Sequence, residues 1–174
     1  AAYRTFLTPT RYDEPGTGAE GLYLGLDGQV HSSADDARKY SPSSSSSASP
    51  SSKSSNSSTS LPLSSAHFSD LSTWDTHRSM NSWLLLTQEP AALGLLRSMT
   101  AMTEQQGAFP RWPIASHEAS CMIGLHGAAL LIEALLISDE DSGGGEDSGG
   151  GWRAEALALA AVVQPALLAA ASDP

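Results

Sequence analysis

Trp74 and Asp75 are the first neighbours along the chain whose types suit chemistry. An indole stacks on the face of a pyranose, and a carboxylate beside it accepts hydrogen bonds from sugar hydroxyls. The plainer role of Asp75 is to stabilise the N-terminus of its own helix. Glu118 is the best candidate acid. It follows Trp112-Pro113 in a loop that hands over to a helix, a place where scaffolds present reactive groups. Its plainer role is again that of a helix-start carboxylate. His117-Glu118 followed by Cys121 and His126 approaches a zinc pattern, but a zincin needs HExxH and position 121 is Cys. Gly16-Thr17-Gly18-Ala19-Glu20-Gly21 spells GxGxxG. A dinucleotide fold needs a strand before that motif and a helix after it. Here Asp13-Glu14-Pro15 precedes and an alternating strand follows, which makes the run a flexible turn. With no Gly-x-Ser-x-Gly elbow, a serine hydrolase has no support.

The elements that must position these groups are helical. Ser72 or Thr73 can cap a helix running through Leu86, with Trp74, Met80, Trp83 and Leu84 on its buried face. Pro90 suits the first turn of a second helix, in which Leu93, Leu96, Met99 and Met102 share one side and which Gly107 ends. Ser116 can cap a third, running to about Ile137 with Cys121, Leu125, Ala128, Ile132 and Leu135 as its apolar line. A fourth, Ala- and Leu-rich, spans 152–171 and should kink at Pro165. Before them, Leu22, Leu24 and Leu26 alternate into Asp27-Gly28, a type I′ hairpin signal, and Gln29-Val30-His31 returns. The expectation is an all-α layer architecture of stacked antiparallel helix pairs with a short β-hairpin-like segment at its start.

Composition limits the core and the partners. Residues 41–60 hold fourteen serines in twenty positions, and residues 138–151 are built only from Ser, Asp, Glu and Gly. Neither has a large apolar side chain whose burial would offset its ordering entropy, so both are expected to be disordered. The resulting divisions are 1–31 as strands and turns, 32–66 as a Ser-rich disordered insertion and 67–137 as the helical core with the motifs. An acidic Gly-rich loop at 138–151 and an Ala-rich helix at 152–174 follow. Asn56-Ser57-Ser58 fits a glycosylation sequon, but a Ser-rich run makes such matches by chance. A net charge of −10 argues against nucleic acid or an anionic membrane as the main partner. A single cysteine, Cys121, excludes an intrachain disulfide framework. The longest apolar run, 156–172, is interrupted by Gln164-Pro165 and is short for a membrane span.

Taken together, the motifs resemble glycoside hydrolase family 92, the calcium-dependent, inverting exo-α-mannosidases. The resemblance rests on Phe68-Ser69-Asp70-Leu71-Ser72-Thr73-Trp74-Asp75-Thr76-His77-Arg78, on Leu84-Leu85-Leu86-Thr87-Gln88-Glu89-Pro90, and on Pro110-Arg111-Trp112-Pro113 through His117-Glu118-Ala119-Ser120-Cys121-Met122-Ile123-Gly124. Tyr3-Arg4-Thr5-Phe6-Leu7-Thr8-Pro9-Thr10 and the segment from Gly25 to His31 add to it. It implies a partial (α/α)6 toroid; the two low-complexity insertions, read from composition, are not features of the family. It implies Glu118 as general acid, with Trp74, Asp75, His117 and Cys121 around the terminal mannose. Calcium, with ligands mostly outside this chain, a mannose-containing glycan substrate, the remainder of the catalytic domain as partner, and a secreted or endomembrane location are implied in the same way. The chain departs from the family where His117-Glu118-Ala119 replaces the usual Asn-Glu-Thr. The general base is expected downstream of the acid. Glu133, the acids at 139–147, Glu155 and Asp173 sit in no matching motif, so the chain reads as a piece of the enzyme. The alternative is a carbohydrate-binding or purely structural helical remnant without turnover.

Overall fold

The computed structural model describes residues 9–14, 21–40, 62–140 and 150–172. The glycine run before Gly21, the serine tract at 41–60 with its sequon and most of the acidic tract lie outside the described residues. The elements in chain order are β1 (Thr10–Arg11), β2 (Leu22–Leu24), β3 (Val30–Ser32), α1 (Ser33–Lys39), a 3-10 turn at Leu63–Ser65 and β4 (Phe68–Ser69). Then come α2 (Thr73–Thr76), α3 (Met80–Thr87), α4 (Glu89–Gln106), β5 (Pro113–Ile114), β6 (His117–Glu118), α5 (His126–Glu140) and α6 (Gly150–Ser172). The three sheets are two-stranded and antiparallel: β1 with β4, β2 with β3, β5 with β6. The fold is mostly helical with a few small strands, as the sequence implies.

The hairpin of β2 and β3 pairs Tyr23 with His31. Its loop has three residues rather than two. Gly25 N–H donates to Gln29 O, Gly28 N–H donates to Gly25 O, and Gly28 takes φ 73°. That is a type I turn with a left-handed glycine, in place of the expected type I′. Asp27 selects it by accepting the Gln29 N–H at 2.9 Å. The buried member of the alternation is Tyr23, while Leu22 and Leu24 face solvent.

α1 corrects the expectation of disorder from residue 32. Ser32 accepts the Asp35 N–H as N-cap, Asp35 and Asp36 occupy the first turn, and Arg38 and Lys39 the last. Tyr40 then buries its ring and donates its hydroxyl to Glu104 of α4, which also receives Lys39 Nζ at 2.6 Å. The acidic tract is shorter than its composition suggests, because α5 runs to Glu140 and α6 starts at Gly150.

α4 is the central helix. Ala92, Leu95, Leu96, Met99, Ala101 and Met102 are all buried, and one core joins the first five to Leu84 and Leu85 of α3, Leu130, Leu131 and Ala134 of α5, and Ala156, Leu159 and Val163 of α6. Pro90 falls in its first turn, and Gly107, at φ 76°, closes it by donating to Thr103 O. Its polar buried residues satisfy themselves: Thr100 and Thr103 donate to the carbonyls four residues back. Ser98 Oγ accepts the Phe68 N–H at 2.9 Å, which fixes β4 against the helix. Gly94 lets the 3-10 turn approach, since a Cβ there would stand 2.2 Å from Leu63 O. Gly94→Ala gains helix propensity but meets backbone that no rotamer change can move aside. The expected result is a net loss of about 2 kcal/mol, read as a lower denaturant midpoint at unchanged slope.

The outer helices differ from expectation in three ways. The first predicted helix breaks into α2 and α3, because His77 Nδ1 donates to Trp74 O at 2.7 Å, the carbonyl a continuing helix would offer to Arg78. Trp83 is half exposed and so is not part of the buried face. In α5 the buried line is Ala128, Leu130, Leu131 and Ala134, while Leu125, Ile132 and Cys121 are exposed. α6 carries Pro165 inside its span. Among the described residues no helix is long and apolar enough to cross a membrane.

Candidate active site

Two segments far apart in sequence are stitched together at the site. Thr73 donates to Arg111 O through its N–H at 3.1 Å and through its hydroxyl at 2.8 Å, across 38 positions. Leu71 N–H donates to Pro113 O at 3.1 Å, and Ser69 Oγ donates to Ala115 O at 2.8 Å. Asp70 Oδ1 accepts the Ala115 N–H at 3.0 Å. The start of α2, which carries Trp74 and Asp75, is thereby set against the β5–β6 hairpin, which carries Glu118.

Glu118 is the last residue of β6, and its carboxylate closes the hairpin. Oε2 accepts the Arg111 N–H at 2.8 Å, and Oε1 accepts Trp112 N–H at 3.0 Å and Ser120 N–H at 2.8 Å. The Trp112 N–H also reaches Oε2 at 3.3 Å. Oε1 therefore uses both lone pairs on backbone donors, and Oε2 keeps the freer one. The expectation that Glu118 opens a helix is corrected. α5 begins only at His126, so no helix dipole acts along this carboxylate. The cause is local. Capturing three N–H groups bends 111–120 into a hairpin, and Ser120 and Gly124 take positive φ before the helix can start.

Strain is concentrated here. The non-glycine residues with positive φ among the described residues are Asp70, Ala115 and Ser120, at 53–54°. All three belong to the two stitched segments. Left-handed conformations of such residues persist only where surroundings over-determine them, and they gather at functional sites.

The predicted residues fall as follows. Trp74 and Asp75 are exposed in α2, so Trp74 is not a core residue and its ring is open to solvent beneath Arg78 at 6.0 Å. His117 is exposed on β6, and Cys121 is an exposed free thiol three residues beyond Glu118. A second bridge joins the two halves: the rings of His77 and His126 stack with centroids 4.0 Å apart. Desolvation first, then the charges of His77 and Arg78, hold the His126 imidazolium form less favourable than usual. Sequence reasoning missed Arg111, Thr73 and Asp70 as site-building residues. The Pro110-Arg111-Trp112-Pro113 run was the available signal, since two prolines leave the intervening peptide groups free of secondary structure.

An open groove of ≈ 660 Å³ runs beside the hairpin, lined by Phe109, Arg111, Gly124 and Leu125 and, from α6, Ala166 and Ala169. Trp74, Asp75 and Glu118 do not line it. Calcium takes six to eight oxygen ligands, with carboxylates prominent among them. Among the described residues no three His, Cys, Asp or Glu side chains gather to hold a metal ion, so they do not form such a site.

The chain belongs to glycosyl hydrolase family 92: the model of that family's catalytic domain matches residues 1–172. Among solved structures it is similar to the family GH92 α-mannosidase BT3965 from Bacteroides thetaiotaomicron, with a TM-score of 0.56 and 21% identity over 93% of this chain. The same enzyme in complex with mannoimidazole matches with the same values. The chain spans 16% of the length of those structures. No curated protein matches.

Proposed function

We propose that this chain is the acid-bearing part of an inverting exo-α-mannosidase that removes terminal α-mannosyl residues from glycans. The observation that carries the reading is the backbone of one residue, Arg111, whose carbonyl holds Thr73 beside Trp74-Asp75 and whose N–H holds Glu118. A sugar stacked on Trp74 and hydrogen-bonded by Asp75 would meet Glu118 across that link, with His117 and Cys121 flanking. Glu118 protonates the departing glycosidic oxygen, and Oε2, its freer oxygen, carries the proton. The base that activates water belongs to the remainder of the catalytic domain, which would complete an (α/α)6 toroid. Glu133, which accepts from Ser82 of α3 at 3.3 Å, sits in no motif of the family. Calcium dependence is assigned to residues outside this chain, and secretion or an endomembrane location to the whole enzyme.

The alternative, a sugar-binding or structural helical piece without turnover, is favoured by one observation: three backbone donors already occupy the Glu118 carboxylate. A fusion of this chain to the remaining catalytic domain of a family 92 α-mannosidase separates the two. The chain alone is expected to release no mannose. The fusion should release it with inversion, β-mannose appearing first by NMR, and Glu118→Gln should slow it by on the order of 10³-fold. A Glu118→Gln fusion as active as the unsubstituted one would leave only the structural role.

A further inference from the structure

The segment after Glu118 is the least supported part of the hairpin by backbone pairing alone. Beyond the β5–β6 ladder, the Ala119 N–H donates to Trp112 O at 3.0 Å. Ser120 then takes φ 54° and offers its N–H to Glu118 Oε1. A serine in the left-handed region tends to relax, and relaxing would withdraw that N–H. What stands against it is Arg111. Its guanidinium Nη1 donates to Met122 O at 2.9 Å, reaching from the first arm of the hairpin across to the chain two residues past Ser120. The same residue gives its N–H to Glu118 Oε2 and its carbonyl to Thr73. The side chain and backbone of one residue thus span the acid, the segment beyond it and the Trp74-Asp75 turn.

We propose that Arg111 is a positioning residue for Glu118: by clamping the Met122 carbonyl it keeps Ser120 left-handed and the Glu118 carboxylate fixed in register with Trp74 and Asp75. The inference rests on the reading of Glu118 as the reacting acid. It adds a residue that touches no substrate. The clamp explains why the carboxylate can be held by three amides without a helix behind it. Its failure would free Oε1 first, because Oε1 alone depends on Ser120.

Amide hydrogen exchange on the full chain tests this, with Arg111→Met to keep the aliphatic stem and Arg111→Lys to restore a donor. In Arg111→Met, exchange at Trp112 and Ser120 should quicken about tenfold while the α4 amides keep their wild-type rates, and Arg111→Lys should recover most of the protection. Wild-type rates at Trp112 and Ser120 in Arg111→Met would overturn the proposal. So would a uniform change that includes α4, which would mean ordinary destabilisation, or the absence of protection at these amides in the wild type. Mannoimidazole binding to the wild-type chain is measured alongside by tryptophan fluorescence. Absence of binding would count against the sugar-site reading alone, because the exchange pattern decides the role of Arg111 without any ligand.

Discussion

Acidification from pH 7 to pH 4.5 is expected to remove about 3 kcal/mol of stability through one residue, and His67→Phe should abolish that part of the loss. His67 is buried, and its ring lies nearly parallel to Tyr23 with centroids 3.5 Å apart. Desolvation pushes its pKa down from 6.5 to about 3; the Asp13 carboxylate opposes the shift and His31 adds to it. The folded state therefore binds fewer protons than the unfolded chain between those two values. Stability is fully present above pH 6.5 and falls as pH drops towards 3, by about 1.4 kcal/mol per unit. Over the whole window that sums to about 5 kcal/mol, the lower end of a domain's total stability. Asp36 acts in the opposite sense. Burial raises its pKa despite the Tyr23 hydroxyl that donates to it at 2.6 Å, so its folded form gains protons first and offsets part of the loss. The comparison of wild type with His67→Phe cancels Asp36 and the carboxylates that do not act on His67, and Phe keeps the ring stack. Denaturant titrations at the two pH values measure the difference. Equal pH dependence in the two proteins would remove His67 from the explanation.

What the sequence disclosed and what it hid follow one division. Signals confined to a few adjacent residues were legible. Pro90 and Gly107 bounded α4 correctly because a proline at a first turn and a left-handed glycine at an end act through the local backbone. The ordered motifs around Trp74 and Glu118 pointed to the family because they are contiguous strings. Features set by partners far along the chain were hidden. The break at His77 depends on a ring nitrogen finding a carbonyl three residues back in preference to helix continuation. The helix start expected at Ser116 gave way to a hairpin because Glu118 found three amides, a competition no propensity records. α1 was lost in the shadow of the serine tract, although Ser32, Asp35 and Asp36 spell a helix start. The apolar line of α5 was legible only in part: Ala128 is buried and Leu135 packs on the core, but Cys121 and Leu125 lie before the helix and Ile132 faces solvent.

Asp13 was hidden most completely, standing in the sequence as mere flank to a glycine-rich turn, and its removal is expected to be as damaging as any single change in the chain. Its side chain is fully buried. One oxygen accepts Arg11 Nε at 2.7 Å and His67 N–H at 3.3 Å; the other accepts Arg11 Nη2 at 2.9 Å and Ser33 Oγ at 3.1 Å. Four donors from β1, the head of α1 and the approach to β4 thus converge on one carboxylate. The bond to Asp13 is also the largest reason the Arg11 guanidinium holds its proton more tightly than usual. Asp13→Ala would take this acceptor from a buried hydroxyl and a buried amide and remove the carboxylate that Arg11 pairs with, a loss of about 3–5 kcal/mol. Asp13→Asn keeps the shape and one acceptor oxygen but drops the charge, so it should lose less, about 1–3 kcal/mol. The effect should reach the candidate site. β1 pairs with Phe68 and Ser69, and the chain passes from there through Asp70 to Thr73, so loosening β1 should raise amide exchange at Leu71 and Thr73, the donors to Pro113 and Arg111. Denaturant melts at pH 7 supply the stability and exchange supplies the propagation. A loss under about 1 kcal/mol in Asp13→Ala would show that Arg11, Ser33 and His67 find other acceptors once the carboxylate is gone.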